Sequence, residues 1–418
     1  MSEETTRPTA IVDCRVFDGE QLREGPVRFT REKVLSVGEP AREGDLLLDG
    51  AGGTVIPGMI DAHFHAFASH LDIFSLESTP ATFTGIIAAQ RLSAVLARGF
   101  TTVRDVAGGD HGLGKAIREG VIEAPRYLYT GRALSQTGGH GDLRSPEAEC
   151  GHPAGCLGEV VDGIDPLRHA VRERFHRGAH AIKMLLSGGV ITPNDRLDTV
   201  QYSPEEVRTV VEEAQRRGSY VAGHAYSSAA VRHAVDNGVR TVEHGNLIDR
   251  ETADHMAAAG AYLIPTLITY DAMSRRGAGL GLDAATCEKN RIVTEKGLES
   301  LALAADAGVP IGFGTDLMGE LEDEQSHGIR LQVQALGALA TLRSLTSVNA
   351  DAIQRPDTGR LRRDSVADLV FLPGDPCENP ALLWDNMIPR SVFQSGRVIS
   401  GPELAELSQS VETGPGNR

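Results

Sequence analysis

His63 and His65 stand one residue apart at the end of the stretch VIPGMIDAHFHAF, residues 55–67. On a β-strand, side chains at i and i+2 point the same way, so both imidazoles leave one face of one strand end. Such a pair is half of a divalent-metal site; its ordinary reading is two polar residues at a strand exit. Four further residues bear on the choice. Lys183 lies within the apolar run AIKMLLSGG, His224 near the end of SYVAGHAY, His244 near the end of RTVEHGN, and Asp316 at the end of PIGFGTDL. Taken singly, a strand histidine can be a satisfied core group, and Asp316 can cap a helix. Taken together, four imidazoles, an amine and a carboxylate at the ends of different apolar runs form a ligand set for divalent cations with acid–base capacity.

Bringing these groups together requires the runs to be neighbouring strands. Eight such runs occupy residues 58–65, 101–108, 126–131, 181–189, 219–226, 240–246, 261–270 and 310–317. Helix candidates at 165–177, 204–217, 228–237 and 284–307 lie between them, with Gly178, Gly218, Gly238 and Gly308 just beyond their ends. This alternation predicts an α/β fold: a (β/α)8 TIM barrel over residues 57–350, with active-site groups at the C-terminal ends of its strands. Short β-type runs flank it, AIVDCRVF, PVRFT, KVLSV and LLLDG in residues 1–56, DLVFL and PRSVFQSGRVIS in 351–418. The two flanks are expected to pair into a small composite β-sandwich, followed by a polar tail. The Pro57-Gly58 break then marks where the chain leaves the sandwich for the barrel.

A net charge of −16 argues against the basic footprint that non-specific nucleic-acid or anionic-membrane binding needs. No apolar run approaches the ~20 residues that cross a bilayer, and the polar, acidic start MSEETTRPTA lacks the pattern of a secretory signal. The expectation is a cytoplasmic protein with no nucleic-acid and no membrane partner. The cysteines Cys14, Cys150, Cys156, Cys287 and Cys377 are sparse and odd in number, and predict no disulfide framework. Cys150, His152 and Cys156 cluster in CGHPAGC, but a fourth ligand and Cys-x-x-Cys spacing are missing, so a loop of reduced thiols is expected there.

Lys183 poses a separate problem. Its neighbours Ile182, Met184, Leu185 and Leu186 direct it toward burial, where an unpaired ammonium is costly. Beside a metal cation the cost would rise further. Either an acidic partner neutralises the charge, or CO2 converts the amine to a carbamate, a bidentate anion.

The segments PGMIDAHFH, AIKMLLSGG, GHAY, EHGN and GTD together resemble the amidohydrolase superfamily of metal-dependent hydrolases, over nearly the whole chain. TTVRD, LSQTGGHGD at 134–142 and the GHAY…EHGN pairing are similar to its prolidase-like and imidazolonepropionase-like branch. The resemblance implies two divalent metal ions, for which this donor set suits Zn²⁺, with Mn²⁺, Co²⁺ and Fe²⁺ open. It assigns His63, His65 and Asp316 to one ion and His224 and His244 to the other, with carbamylated Lys183 as the bridge. His140 and Tyr226 would lie near the substrate's carbonyl or carboxylate. Lys183 argues against the superfamily's mononuclear deaminases, and no ligand is lost as in its non-catalytic relatives.

The implied reaction is hydrolysis of an amide-type C–N bond in a small molecule: an N-acyl amino acid, a dipeptide, or a xenobiotic amide, urea or carbamate. A hydroxide shared by the metals would attack, with Asp316 as general acid/base. Ring opening of a cyclic amide is the alternative among hydrolases, and a non-catalytic metal-stabilised binding protein the alternative outside them. A homo-oligomer is implied by the resemblance alone. Loops at 108–115, 134–166, 189–201 and 271–283 are expected to set specificity, with Arg132, Arg144, Arg196 and Arg275 as candidates to pair a substrate carboxylate.

Overall fold

A single glycine separates two sheets. Strand Leu46–Pro57 ends where strand Met59–Phe64 begins, and a Cβ on the intervening Gly58 would overlap the Thr101 side chain. The computed structural model describes residues 7–144, 157–192 and 195–407. Cys150, His152 and Cys156, and with them the expected thiol loop, lie outside the described residues.

Before Gly58 the chain builds a mixed sheet from both of its ends. Leu46–Pro57 runs parallel to Thr9–Phe17 and antiparallel to Leu369–Leu372, which pairs in turn with Ser391–Gln394. A bulge at Asp13, where φ is 47°, shifts the alternation of IVDCRVF by one residue, so that Ile11, Cys14 and Val16 join one core with Phe29, Val55, Leu369 and Phe393. Residues more than 300 positions apart in sequence thus close one hydrophobic cluster.

Between Met59 and Ile264 the paired strands are parallel and alternate with helices, a TIM-barrel-like α/β fold. Met59–Phe64, Phe100–Asp105 and Arg126–Tyr129 form one three-stranded sheet. Ile182–Leu185, Val221–Ser227, Thr241–Leu247 and Tyr262–Ile264 follow in order in a six-stranded sheet. Helices Ile164–His176, Pro204–Gln215, Ser228–Asp236 and Ala284–Asp306 match the four expected from the sequence to within two residues. Local chemistry explains their sharp starts. Ser203 and Glu206 form a reciprocal capping box, and the side chains of Ser227 and Asp283 accept from backbone N–H groups three residues on.

Three expectations at the level of elements are corrected. The run 261–270 is not one strand: it stops at Ile264, because Pro265 has no N–H to continue a ladder, and helix Leu267–Ala272 follows. The run 310–317 is not a regular strand but a single parallel bridge, Leu263 to Ile311. Its remaining hydrogen bonds go both ways, Gly312 N–H to the Leu263 carbonyl and Ala62 N–H to the Phe313 carbonyl. The loop expected over 134–166 contains strands Ala133–Ser135 and Gly158–Val160, paired in parallel. No helix among the described residues is long and apolar enough to cross a membrane.

Candidate active site

All eight side chains singled out by the sequence line one cavity of about 640 Å3: His63, His65, His140, Lys183, His224, Tyr226, His244 and Asp316. Six strand ends or strand-following loops deliver them. Of the four arginines considered for a substrate carboxylate, Arg144 borders the cavity, where its guanidinium already forks onto Asp142. Arg196 pairs with Asp198 and Arg275 with Asp271 and Glu324, while Arg132 is exposed.

Asp316 is the hub. Its Oδ1 lies 2.8 Å from Nε2 of His65 and 3.3 Å from Nε2 of His63, and its Oδ2 lies 3.9 Å from Nδ1 of His244. Donor atoms of His63, His244 and Asp316 all fall within 4.8 Å of one another. The backbone is shaped to do this. The N–H groups of Thr315 and Asp316 both turn to the His63 carbonyl, at 3.1 and 2.8 Å. Asp61 draws the same two segments together, accepting from the Thr315 hydroxyl at 2.6 Å and from the His63 N–H at 3.1 Å. Asp316 and His244 pay in strain, with φ of 54° and 78°, a region that non-glycine residues rarely enter.

His224 stacks on His140 and meets His244 edge-on, with ring centroids 4.4 Å apart in each case. His140 is seated by its surroundings. Its Nδ1 lies 2.8 Å from the Thr192 hydroxyl, its N–H donates to Gln201, and a Cβ on Gly189 would overlap its ring. Lys289, from helix Ala284–Asp306, pins this loop by donating to the carbonyls of Gly189, Thr192 and Asp195.

The charge states suit cation binding. Burial pushes the imidazoles of His65, His224 and His244 below their ordinary value, and His140 down to about 4. Burial opposes ionisation of Asp316, but His63 and His65 outweigh it and hold the carboxyl well below the usual range. Metal binding needs these forms, neutral imidazole and ionised carboxylate. Lys183 is 2% exposed, and its Nζ has no hydrogen-bond partner among the described residues. Burial pulls its amine down to about 8, against the opposing charges of Glu243 and Asp316. An orphaned amine among neutral imidazoles and a carboxylate fits a divalent-metal centre better than it fits an apolar core.

Three residues not anticipated from the sequence support this cluster. Glu243, beside His244 in EHGN, places Oε2 2.7 Å from Nδ1 of His63. Arg104, from TTVRD, donates to Oε1 of Glu243 at 2.7 Å and to the Ala62 carbonyl at 2.5 Å. Both are fully buried. Burial opposes ionisation of Glu243, but Arg104 and Lys183 outweigh it and lower the carboxyl to about 2. The available signal was a charged residue inside an otherwise apolar strand, which must find a partner. Tyr270 is the third: its hydroxyl lies 2.7 Å from Nδ1 of His244 and 2.8 Å from the Tyr226 hydroxyl.

The sequence model of the amidohydrolase family matches residues 54–399. Ochratoxinase of Aspergillus niger is 30% identical over 415 residues, covering 93% of this chain and 85% of the relative. Among solved structures, a prolidase complexed with N-methylphosphonate-L-proline is similar at TM-score 0.90 and 38% identity, over 94% of this chain and 100% of that one. A Xaa-Pro dipeptidase with bound methionine in its active site is similar at TM-score 0.84 and 26% identity, over 94% and 99%.

Proposed function

The chain belongs to the amidohydrolase family and is a metal-dependent hydrolase of C–N bonds; from that premise we propose that it cleaves a linear amide-type bond of a small molecule at a binuclear centre. His63, His65 and Asp316 would hold one divalent ion, Zn²⁺ by the chemistry of the donors, and His224 and His244 the other, with Lys183 shared between them as its carbamate. The observation that carries the binuclear reading is the Lys183 amine, fully enclosed, without a hydrogen-bond partner among the described residues and bordering the cavity. Conversion to a carbamate would replace a costly buried ammonium with an anion suited to hold two cations. When bound, two such ions lower the pKa of a water toward neutrality and polarise the scissile carbonyl.

The chain's own groups do the rest. Asp316, held ionised, takes a proton from the attacking water and delivers it to the leaving nitrogen. Tyr226 offers its hydroxyl to the carbonyl oxygen, and His140, with Nδ1 against Thr192, keeps Nε2 for the substrate. Apolar walls from Leu143, Leu157, Leu185, Val190 and Met318 exclude water and favour an apolar group beside the bond. That suits an N-acyl amino acid, a dipeptide with an apolar residue, or a xenobiotic amide, urea or carbamate. The Xaa-Pro dipeptidase among the similar structures lies in the same range.

The proposal includes a closed eight-stranded barrel over residues 57–350, with segments 1–56 and 351–418 joined as one composite β-sandwich. Closure is supported by residues 311–316, which bond to Leu263 on one side and to residues 62–63 on the other. The test is hydrolysis of a panel of N-acyl amino acids, dipeptides, aryl ureas, carbamates and cyclic amides, with metal content measured on the same protein. Turnover of linear amides at two ions per chain supports the reading. One ion per chain, or turnover of cyclic amides alone, defeats it.

A further inference from the structure

Tyr226 lies near the end of strand Val221–Ser227, and Tyr270 lies on helix Leu267–Ala272, yet their hydroxyl oxygens are 2.8 Å apart and both border the cavity. The Tyr270 oxygen is also 2.7 Å from Nδ1 of His244, where the Thr266 hydroxyl is a second neighbour at 2.8 Å. His244, Tyr270 and Tyr226 therefore form one hydrogen-bonded chain leading from an imidazole to the cavity.

The direction of that chain follows from His244. A neutral imidazole carries its hydrogen on one nitrogen and a lone pair on the other. If Nε2 is given to a cation, the hydrogen sits on Nδ1, which must donate to an oxygen. Tyr270 then accepts from Nδ1 and donates its own O–H to Tyr226. Tyr226, already accepting, has its O–H left over for the cavity. With the other tautomer a hydroxyl must donate to Nδ1; where that hydroxyl is Tyr270, Tyr226 donates to Tyr270 and keeps no hydrogen for a substrate.

We propose that Tyr270 is a positioning residue which, anchored on Nδ1 of His244, holds Tyr226 as a hydrogen-bond donor to the substrate's carbonyl oxygen. This rests on the proposed roles of His244 as a metal ligand and Tyr226 as the substrate's donor. Tyr270 does not touch the substrate oxygen itself; it removes the competing orientation of Tyr226.

Two measurements on Tyr226→Phe, Tyr270→Phe and the double variant test this. The first is Zn²⁺ affinity by chelator competition, which needs no turnover. Tyr270→Phe takes one acceptor from His244 and is expected to weaken Zn²⁺ binding by about 10-fold, while Tyr226→Phe leaves it unchanged. Unchanged affinity in Tyr270→Phe, with the Thr266 acceptor also removed as Thr266→Val, overturns the anchoring on His244. The second is kcat/KM at saturating Zn²⁺, on the panel compound that the wild type hydrolyses fastest. Tyr226→Phe is expected to lose about 10²-fold, Tyr270→Phe less, and the double variant no more than Tyr226→Phe alone. Losses that multiply in the double variant overturn the proposal, because a purely structural role for Tyr270 persists when the Tyr226 hydroxyl is gone. If no panel compound is hydrolysed, the functional reading fails, and the Zn²⁺ measurement decides this inference by itself.

Discussion

Oε2 of Glu243 lies 2.7 Å from Nδ1 of His63, and Oε1 of the same carboxylate accepts from Arg104 at 2.7 Å. One fully buried carboxylate thus joins an imidazole on strand Met59–Phe64 to a guanidinium on Phe100–Asp105, from a third strand, Thr241–Leu247. A carboxylate in this place accepts Nδ1–H of His63 and so leaves Nε2 facing Asp316, where a cation would bind.

Glu243→Gln keeps the size of the side chain but weakens that acceptor and strands the Arg104 charge. Metal affinity is expected to fall by about 10–100-fold, read by chelator competition on protein that stays folded by circular dichroism. Arg104→Met, which leaves Glu243 buried without its guanidinium counter-ion, is expected to cost about 3–5 kcal/mol of stability, measured by urea unfolding. Wild-type values for both variants would reduce the pair to a packing feature.

Lys183→Ala deletes the proposed bridge. Metal content should drop below two ions per chain with loss of turnover, and short carboxylic acids should restore part of both by occupying the vacated space. Two ions retained per chain without any added acid would remove Lys183 from the centre.

Asp316→Asn preserves shape while removing the proposed proton acceptor. The expected loss in kcat is about 10²–10⁴-fold, with a smaller change in metal content. Turnover near the wild-type rate in metal-replete Asp316→Asn protein would take Asp316 out of the proton path.

Gly189→Ala tests the seating of His140. The added methyl overlaps the imidazole ring, so the ring or the loop must shift, at a stability cost of about 1–3 kcal/mol. Metal content should change less than kcat/KM, because the three atoms nearest the added Cβ all belong to the His140 ring. A displaced His140 is expected to lower kcat/KM by up to about 10²-fold; unaltered kinetics would show that its position is irrelevant to the substrate.

Much of this arrangement is written locally. The His-x-His pair faces one way because the strand period is two, and helices such as Pro204–Gln215 start where Ser203 and Glu206 cap them. The parallel architecture follows from strands alternating with helices, and the one-residue break at Pro57-Gly58 separates the two sheets. Where the local signal misled, a single atom or one long-range bond outweighed it. Pro265 lacks the N–H that would have extended Tyr262–Ile264, and Gly312, Phe313, Thr315 and Asp316 pair irregularly on two sides in place of forming a ladder.

The residue types of the centre were thus determined by the sequence: imidazoles, a lysine and an aspartate at the ends of apolar runs. Their mutual distances were decided only by the tertiary structure, because they reside on separate elements that meet through the packing of the whole sheet. The same holds for Arg104, Glu243 and Tyr270. Whether a buried charge or hydroxyl finds its partner depends on elements 26 to 180 residues away, and no local pattern records that. The Lys183 amine is the sharpest case: its burial could be read from its apolar neighbours, but its lack of a hydrogen-bond partner among the described residues became visible only once every neighbouring strand was in position.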